Sequence, residues 1–256
     1  MTLARPAGSA TIAALLLHAR CNMTCTFCVT EDELEAMRFE EARALLDGLV
    51  ARGFTSVILG GGEPFAGPGD LLALAAEARA RGLLVQVGTN AIALPGGFER
   101  LDCFDRWILP LESTRSDVHD LLRHHGPGHH ALVLERLATL RAAGRAVTVS
   151  TVLTAHNTPG LEELARFLAD YCAQGGQLHA WHLYQFLPFG RGGTRHRDEL
   201  EIPAEAYHDA CERIAQLALP FRVYQRTNMY RPSSIKFFWK REGRIESGPS
   251  PEVPAA

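Results

Sequence analysis

A chain of 256 residues with 46% hydrophobic and 21% charged side chains can bury one sizeable core, which suits a single α/β domain. A formal net charge of -3 offers no basic face for a nucleic-acid polymer or an anionic membrane surface. No apolar run reaches membrane-spanning length, and Ala10–His18 lacks the basic start and small-residue cleavage site of a signal peptide, so a cytoplasmic location is expected. Thiols stay reduced there, and the six cysteines read as ligands or buried hydrophobes before disulfides.

In chain order, short apolar runs predict strands at Ile12–His18, Ser56–Leu59, Leu83–Gly88, Arg106–Leu111, Ala146–Leu153 and Leu178–Phe186. Amphipathic stretches between and after them predict helices at Glu33–Arg52, Gly69–Arg81, His129–Ala143, Leu161–Cys172 and Ala204–Leu217. Gly53, Gly82 and Gly144 follow three of these helices where a left-handed cap favours glycine. The connection from Ala91 to Cys103 is irregular, Phe221–Gln225 suits a short strand, and Glu242-Gly243 suits a hairpin turn between Ile235–Trp239 and Arg244–Glu246. Strand and helix repeating in this order predict an α/β fold: a partial (β/α)6 parallel barrel with a short C-terminal hairpin extension. The core domain is expected over residues 10–247, with a Pro/Ser/Ala-rich disordered tail at 248–256. In such folds the site forms at the carboxyl ends of the strands.

Directly after the first strand comes Cys21-Asn22-Met23-Thr24-Cys25-Thr26-Phe27-Cys28. Three thiolates at spacings of four and three converge on one side of a looped turn, and soft sulfur ligands select iron–sulfur chemistry or zinc. A structural zinc wants a fourth ligand, and no second paired cysteine motif supplies one. Three ligands to a four-iron cube leave one iron open, which is a catalytic arrangement. Cys103, Cys172 and Cys211 are widely separated and read as structural.

The C-x3-C-x2-C spacing, with Phe27 before the last cysteine, resembles the signature of the radical S-adenosylmethionine (SAM) superfamily. So does Gly61-Gly62-Glu63-Pro64 after the second strand, which resembles the family's GGE motif. Within the family the chain is most similar to the compact single-cluster branch that includes viperin and the core domain of the molybdenum-cofactor biosynthesis enzyme. That likeness is carried by Cys21–Cys28, Gly61–Pro64, Arg123–Gly128, Ser150–Asn157 and Asn228–Glu246, with Thr24 and Thr26 departing from viperin's usual cysteine loop. The resemblance implies one [4Fe–4S] cluster on Cys21, Cys25 and Cys28, with SAM chelated at the open iron. It further implies adenine contact at Phe27 and Leu187, amino-group contact at Gly61, Gly62, Glu63 and Pro64, and polar contacts from Thr89 and Asn90. At the later strand ends, Arg123 is a candidate forked partner for the SAM carboxylate, Ser150 and Thr151 are candidates for ribose contacts, and Glu112 is a further cofactor-binding candidate.

Residues facing the substrate are read from chemistry alone. His179 and His182 lie an odd number apart on one strand and are expected on opposite faces, so His182 and Tyr184, of equal parity, are paired as pocket candidates. Arg191 and Asn228, with Arg226, stand where a substrate anion is expected. The histidine-rich segment His124–His130 reads as a solvated loop rather than a metal site. No catalytic side chain is assigned. The expected activity is reductive cleavage of SAM to a 5′-deoxyadenosyl radical that takes hydrogen from a small molecule, a nucleotide or secondary metabolite. An external donor such as a flavodoxin or ferredoxin is expected as partner. The alternatives are a peptide or protein substrate, including activation of a glycyl-radical enzyme, and a non-catalytic metal-binding module.

Overall fold

The computed structural model describes residues 11–227 and 235–248. Its strands are β1 (Ile12–Leu16), β2 (Ser56–Gly60), β3 (Leu84–Gly88), β4 (Arg106–Pro110), β5 (Ala146–Leu153), β6 (Gln177–Gln185), β7 (Arg222–Arg226), β8 (Ile235–Arg241) and β9 (Arg244–Gly248). They form one sheet in the order β7-β6-β5-β4-β3-β2-β1-β8-β9, parallel throughout except for the β8–β9 hairpin. With β7 and β9 at its edges the sheet is open, a partial barrel as the strand–helix repeat predicts. The hairpin is more than an appendage. β8 pairs in parallel with β1, satisfying backbone groups that would otherwise leave β1 as a bare edge. Its turn residues Glu242 and Gly243 take φ of 49° and 73°, the left-handed pair that a two-residue hairpin demands.

The helices are α1 (Phe39–Ala51), α2 (Leu71–Ala80), α3 (Ser116–Arg123), α4 (His129–Ala142), α5 (Leu161–Ala173), the short α6 (Gly190–Gly193) and α7 (Arg197–Leu200), and α8 (Ala204–Ala215). α1 begins six residues later than its periodicity suggests, because the Arg38 amide donates to Glu41 as a capping box and Glu35 instead bridges Lys240 of β8. α3 has no counterpart in the pattern analysis. Its buried residues are His119 and Leu122, and a histidine used as core does not register as an apolar position. Leu15, Leu59, Val87, Leu109, Val149 and Trp181 point outward from the sheet into the helix-covered core, where all are fully buried. The alternate residues Ala14, Ile58, Ile108, Ser150 and Tyr184 face the barrel interior and line its cavity. Cys103 and Cys211 are buried, and Cys172 packs at the margin of the same core. Among the described residues no helix is long and apolar enough to cross a membrane.

Candidate active site

The loop after β1 carries Cys21, Cys25 and Cys28 to the mouth of a cavity of about 350 Å³ at the carboxyl ends of the strands. That volume lies in the range of small-molecule sites. Phe27 belongs to a small apolar cluster with Leu122, Phe186 and Leu200, which seats the loop between α3 and the end of β6. The two threonines serve the same seat. Thr26 donates both its amide and its hydroxyl to the Leu122 carbonyl at 3.0 Å, and Thr24 donates to the His124 carbonyl at 3.1 Å.

The glycines after β2 are explained by close approach to this loop. The Gly62 amide donates to the His18 carbonyl at 2.7 Å and the Glu63 amide to Arg20 at 2.9 Å. A Cβ on Gly62 would strike the Arg20 carbonyl, and one on Gly61 (φ 124°) would stand 2.7 Å from that of His18. Gly61 and Gly62 line the cavity, whereas Glu63 and Pro64 sit behind its wall. Fully buried Glu63 accepts from the Thr89 hydroxyl at 2.7 Å, the Asn90 amide at 2.6 Å and the Phe65 amide at 3.2 Å. Its carboxylate therefore braces the end of β3, while Thr89 and Asn90 themselves reach the cavity. The Asn90 side chain donates to Asn22 in the cysteine loop at 2.7 Å.

Across the cavity Arg123 at the end of α3 forks onto Glu112 through Nε, at 2.9 Å, and Nη2. Its Nη1 stands 3.8 Å from Cys25 Sγ, and its guanidinium lies 4.9 Å from the Phe27 ring centre. Burial opposes the Arg123 charge, but Glu112 and Cys25 outweigh it and hold the arginine charged. Burial pushes the Cys25 thiol up to about 11, with Arg123 pulling it down. Arg123 lines the cavity and Glu112 stands behind it.

Ser150 faces the cavity, but Thr151 does not. Thr151 points to the helix side, where its hydroxyl donates to the Leu111 carbonyl at 2.6 Å and accepts from Trp181 Nε1 at 2.9 Å. That corrects its expected place at the ribose. Leu187 and Tyr184 line the cavity, and His182 Nδ1 lies 3.3 Å from the Tyr184 hydroxyl one row deeper. The expectation that His179 and His182 face opposite sides fails at a β-bulge. Val147 pairs with Leu178 and Thr148 with Ala180, so His179 is the extra residue and strand parity is lost across it. Its electrostatic neighbours are Arg106, Arg222 and His182. Asn228 lies outside the described residues.

Arg191 lines the cavity, where it donates to the Ala19 carbonyl at 3.0 Å and to Asp32 at 3.2 Å, with Cys28 and Cys21 in its electrostatic field. The turn around it presses on the cysteine loop: the Gly192 amide donates to the Cys28 carbonyl at 3.0 Å, and a Cβ on Gly192 would strike the Cys25 carbonyl. In the sequence the only signal for this contact is the run Gly190-Arg191-Gly192-Gly193.

The histidine-rich segment also departs from expectation. His129 and His130 open α4 as buried residues. The Glu112 amide donates to His119 Nδ1 at 3.1 Å, so His119 Nε2 carries the proton it shares with His129 Nδ1 at 2.9 Å. His129 Nε2 then donates to the Asn90 carbonyl at 2.9 Å. This chain ties the ends of β3 and β4 together and was not legible as such in the sequence. His119, Asp120 and His129 also form a trio whose ligand atoms close to within 4.8 Å, but the imidazole nitrogens of His119 and His129 are already committed to these bonds.

A sulfur-only donor set on a glycine-clasped loop, with two arginines at the sulfurs and a cavity alongside, fits an iron–sulfur cluster with a small cofactor beside it. Comparison with known proteins points the same way. Residues 15–168 match the family described as the Radical SAM superfamily. The AdoMet-dependent heme synthase of Methanosarcina barkeri is 28% identical over 186 residues, covering 69% of this chain and 50% of that protein. The GTP 3',8-cyclase of Erythrobacter litoralis is 27% identical over 217 residues, covering 75% and 59%. This chain thus spans little more than half the length of these relatives. In fold it is similar to SuiB of Streptococcus suis bound to S-adenosylmethionine, with a TM-score of 0.68 and 15% identity over 85% of this chain and 51% of that one.

Proposed function

We propose, because this chain belongs to the radical SAM superfamily, that it cleaves S-adenosylmethionine reductively at one [4Fe–4S] cluster and directs the resulting radical at a small-molecule substrate. The cluster and SAM, when bound and fed by a reductant such as a flavodoxin or ferredoxin, supply the one-electron chemistry that yields methionine and a 5′-deoxyadenosyl radical. The chain's own part is ligation, orientation and exclusion of water.

Cys21, Cys25 and Cys28 are the proposed cluster ligands. Gly61 and Gly62, with Thr89 and Asn90, offer backbone and side-chain polar groups to the SAM amino acid moiety, and Glu63 holds that wall in place. Arg123 is fixed by Glu112 with its remaining edge toward the cavity and the cysteines, the position for a carboxylate. Phe27 and Leu187 supply apolar flanks, and Ser150 a hydroxyl. Residues 10–247 are taken as the catalytic core.

The observation that carries this reading is that the three cysteines, Gly60–Gly62, Thr89–Asn90 and Arg123 all border the same cavity. Anaerobic turnover of the reconstituted protein against a panel of nucleotides and sugar metabolites tests the substrate class. One candidate should stimulate 5′-deoxyadenosine release. Stimulation by a peptide and by none of the small molecules would overturn the small-molecule assignment.

A further inference from the structure

On the radical SAM reading above, β6 and β7 form the side of the cavity open to the substrate. β6 and β7 pair in parallel with His182 opposite Tyr224 and Tyr184 opposite Arg226. Directly paired residues project to the same face of a sheet, so Arg226 stands beside Tyr184, which lines the cavity. The four side chains interlock. The His182 and Tyr224 rings meet edge-on at 5.3 Å, and the Arg226 guanidinium lies 5.0 Å from the Tyr224 ring centre. The Arg226 amide donates to the buried Tyr207 hydroxyl at 3.0 Å, and that hydroxyl donates to the Leu183 carbonyl at 2.7 Å, which fixes the end of β7.

Among the described residues this wall carries an excess of positive charge, the Asp105 carboxylate in the field of Arg106 being itself paired with Arg79. Among the described residues no carboxylate forms an ion pair with Arg226 or with Arg106, and the Nε of each is buried without a hydrogen-bond partner. The carboxylates behind the cavity wall are spent elsewhere, Glu63 on β3 and Glu112 on Arg123. In the sequence no acidic residue occurs between Glu212 and Glu242, while seven arginines and lysines do. Burial foremost, and then Arg226, His179 and Arg106, depresses His182 to about 3. Arg226 is half-buried, and a guanidinium whose buried Nε lacks an acceptor and which has no carboxylate partner is suited to an anion that completes its bonds.

We propose that the substrate of this enzyme is an oxyanion, bearing a phosphate or carboxylate group, and that Arg226 takes that group beside Tyr184 at the β6–β7 side of the cavity. Arg226 supplies a forked pair of donors, Tyr184 and His182 polar atoms next to it, and Tyr224 the aromatic surface that holds the fork in place. This puts the anion opposite the cysteine loop, leaving the substrate's remaining atoms between the two walls.

Calorimetric titration of the cluster-loaded, SAM-loaded enzyme with tripolyphosphate and with citrate, at low salt, tests the proposal. One of the two should bind at one site per chain, and the preferred probe tells phosphate from carboxylate. R226Q should weaken that binding by about tenfold or more, the effect of one charge-assisted contact, with R226K intermediate because it keeps charge but loses the fork. SAM titration of each variant checks its folding, and R226K carries the comparison should R226Q not fold. Uptake of neither probe by the wild type, or equal affinity in wild type and R226Q, would overturn the proposal. 5′-Deoxyadenosine formed by the wild type in the same samples separates the two readings: its formation without anion binding sinks only this inference, and its absence sinks the radical assignment.

Discussion

The Gly192 amide donates to the Cys28 carbonyl at 3.0 Å, fastening the turn after β6 onto the loop after β1. Because a Cβ at Gly192 would meet the Cys25 carbonyl and the Cys28 amide, the backbone of the cysteine loop must yield to any larger residue. G192A should therefore cost about 1–3 kcal/mol in unfolding experiments, the range of overpacked sites. It should also retain less iron and sulfide per chain after reconstitution. Wild-type iron content and stability would show that the contact is incidental.

Arg123 and Glu112 form a buried ion pair, Glu112 being 1% exposed. Removing one partner leaves the other charged and buried, so R123M or E112M alone should destabilise by about 3–5 kcal/mol. The double variant should recover part of that loss, giving a favourable coupling in a double-mutant cycle. SAM affinity should fall in all three, since Arg123 is also its proposed carboxylate partner. Additive stability losses would contradict the pairing.

The chain Glu112–His119–His129–Asn90 requires both imidazoles neutral. Burial foremost, and then Arg123, holds His119 at about 2, and burial holds His129 at about 4. An unfolded histidine titrates near 6.5, so below that pH the unfolded chain binds protons that the folded chain refuses. Stability present above pH 6.5 is thus lost as the pH falls, with a slope of up to about 1.4 kcal/mol per pH unit for each histidine. Urea unfolding at pH 7.5 and 5.5 should show this loss, and H119Q/H129Q should flatten it. Nitrogen-15 spectra should find both rings protonated at Nε2 alone at pH 5.5. A charged ring at that pH would break the account.

The sheet was legible because parallel strands covered on both faces read as apolar runs, and all six expected strands begin within a residue of β1 to β6. The cysteine spacing and Gly61–Pro64 were legible because local motifs carry their own geometry. What escaped depends on contacts distant in sequence. Gly192 against Cys28 joins loops far apart in sequence, after β6 and after β1, and His119 against His129 joins a helix too short for a periodic signal to the start of another. Parity on β5 puts Ser150 alone inside and Thr151 on the helix side, and a bulge at His179 cancels parity on β6. Alternation fixes a face only where register is continuous.

Arg191 lines the cavity beside the cysteine loop and lies in the electrostatic field of Cys28 and Cys21. A positive charge at the sulfurs favours the reduced, more negative state of a cluster held there. R191Q should lower the midpoint potential, by on the order of 100 mV from Coulomb's law at an effective dielectric constant of about 20. R191K should lie between. Redox titration followed by electron paramagnetic resonance reads the shift directly, and an unchanged potential in R191Q would remove Arg191 from the cluster's environment.

The central claim is that Cys21, Cys25 and Cys28 hold a cluster that meets SAM in the adjoining cavity. Electron paramagnetic resonance of the anaerobically reduced, reconstituted protein with and without SAM tests it most directly. The account predicts a [4Fe–4S] signal that changes on adding SAM, 5′-deoxyadenosine in the same tube, and loss of both in the C25A variant. A signal indifferent to SAM with no 5′-deoxyadenosine formed would contradict it.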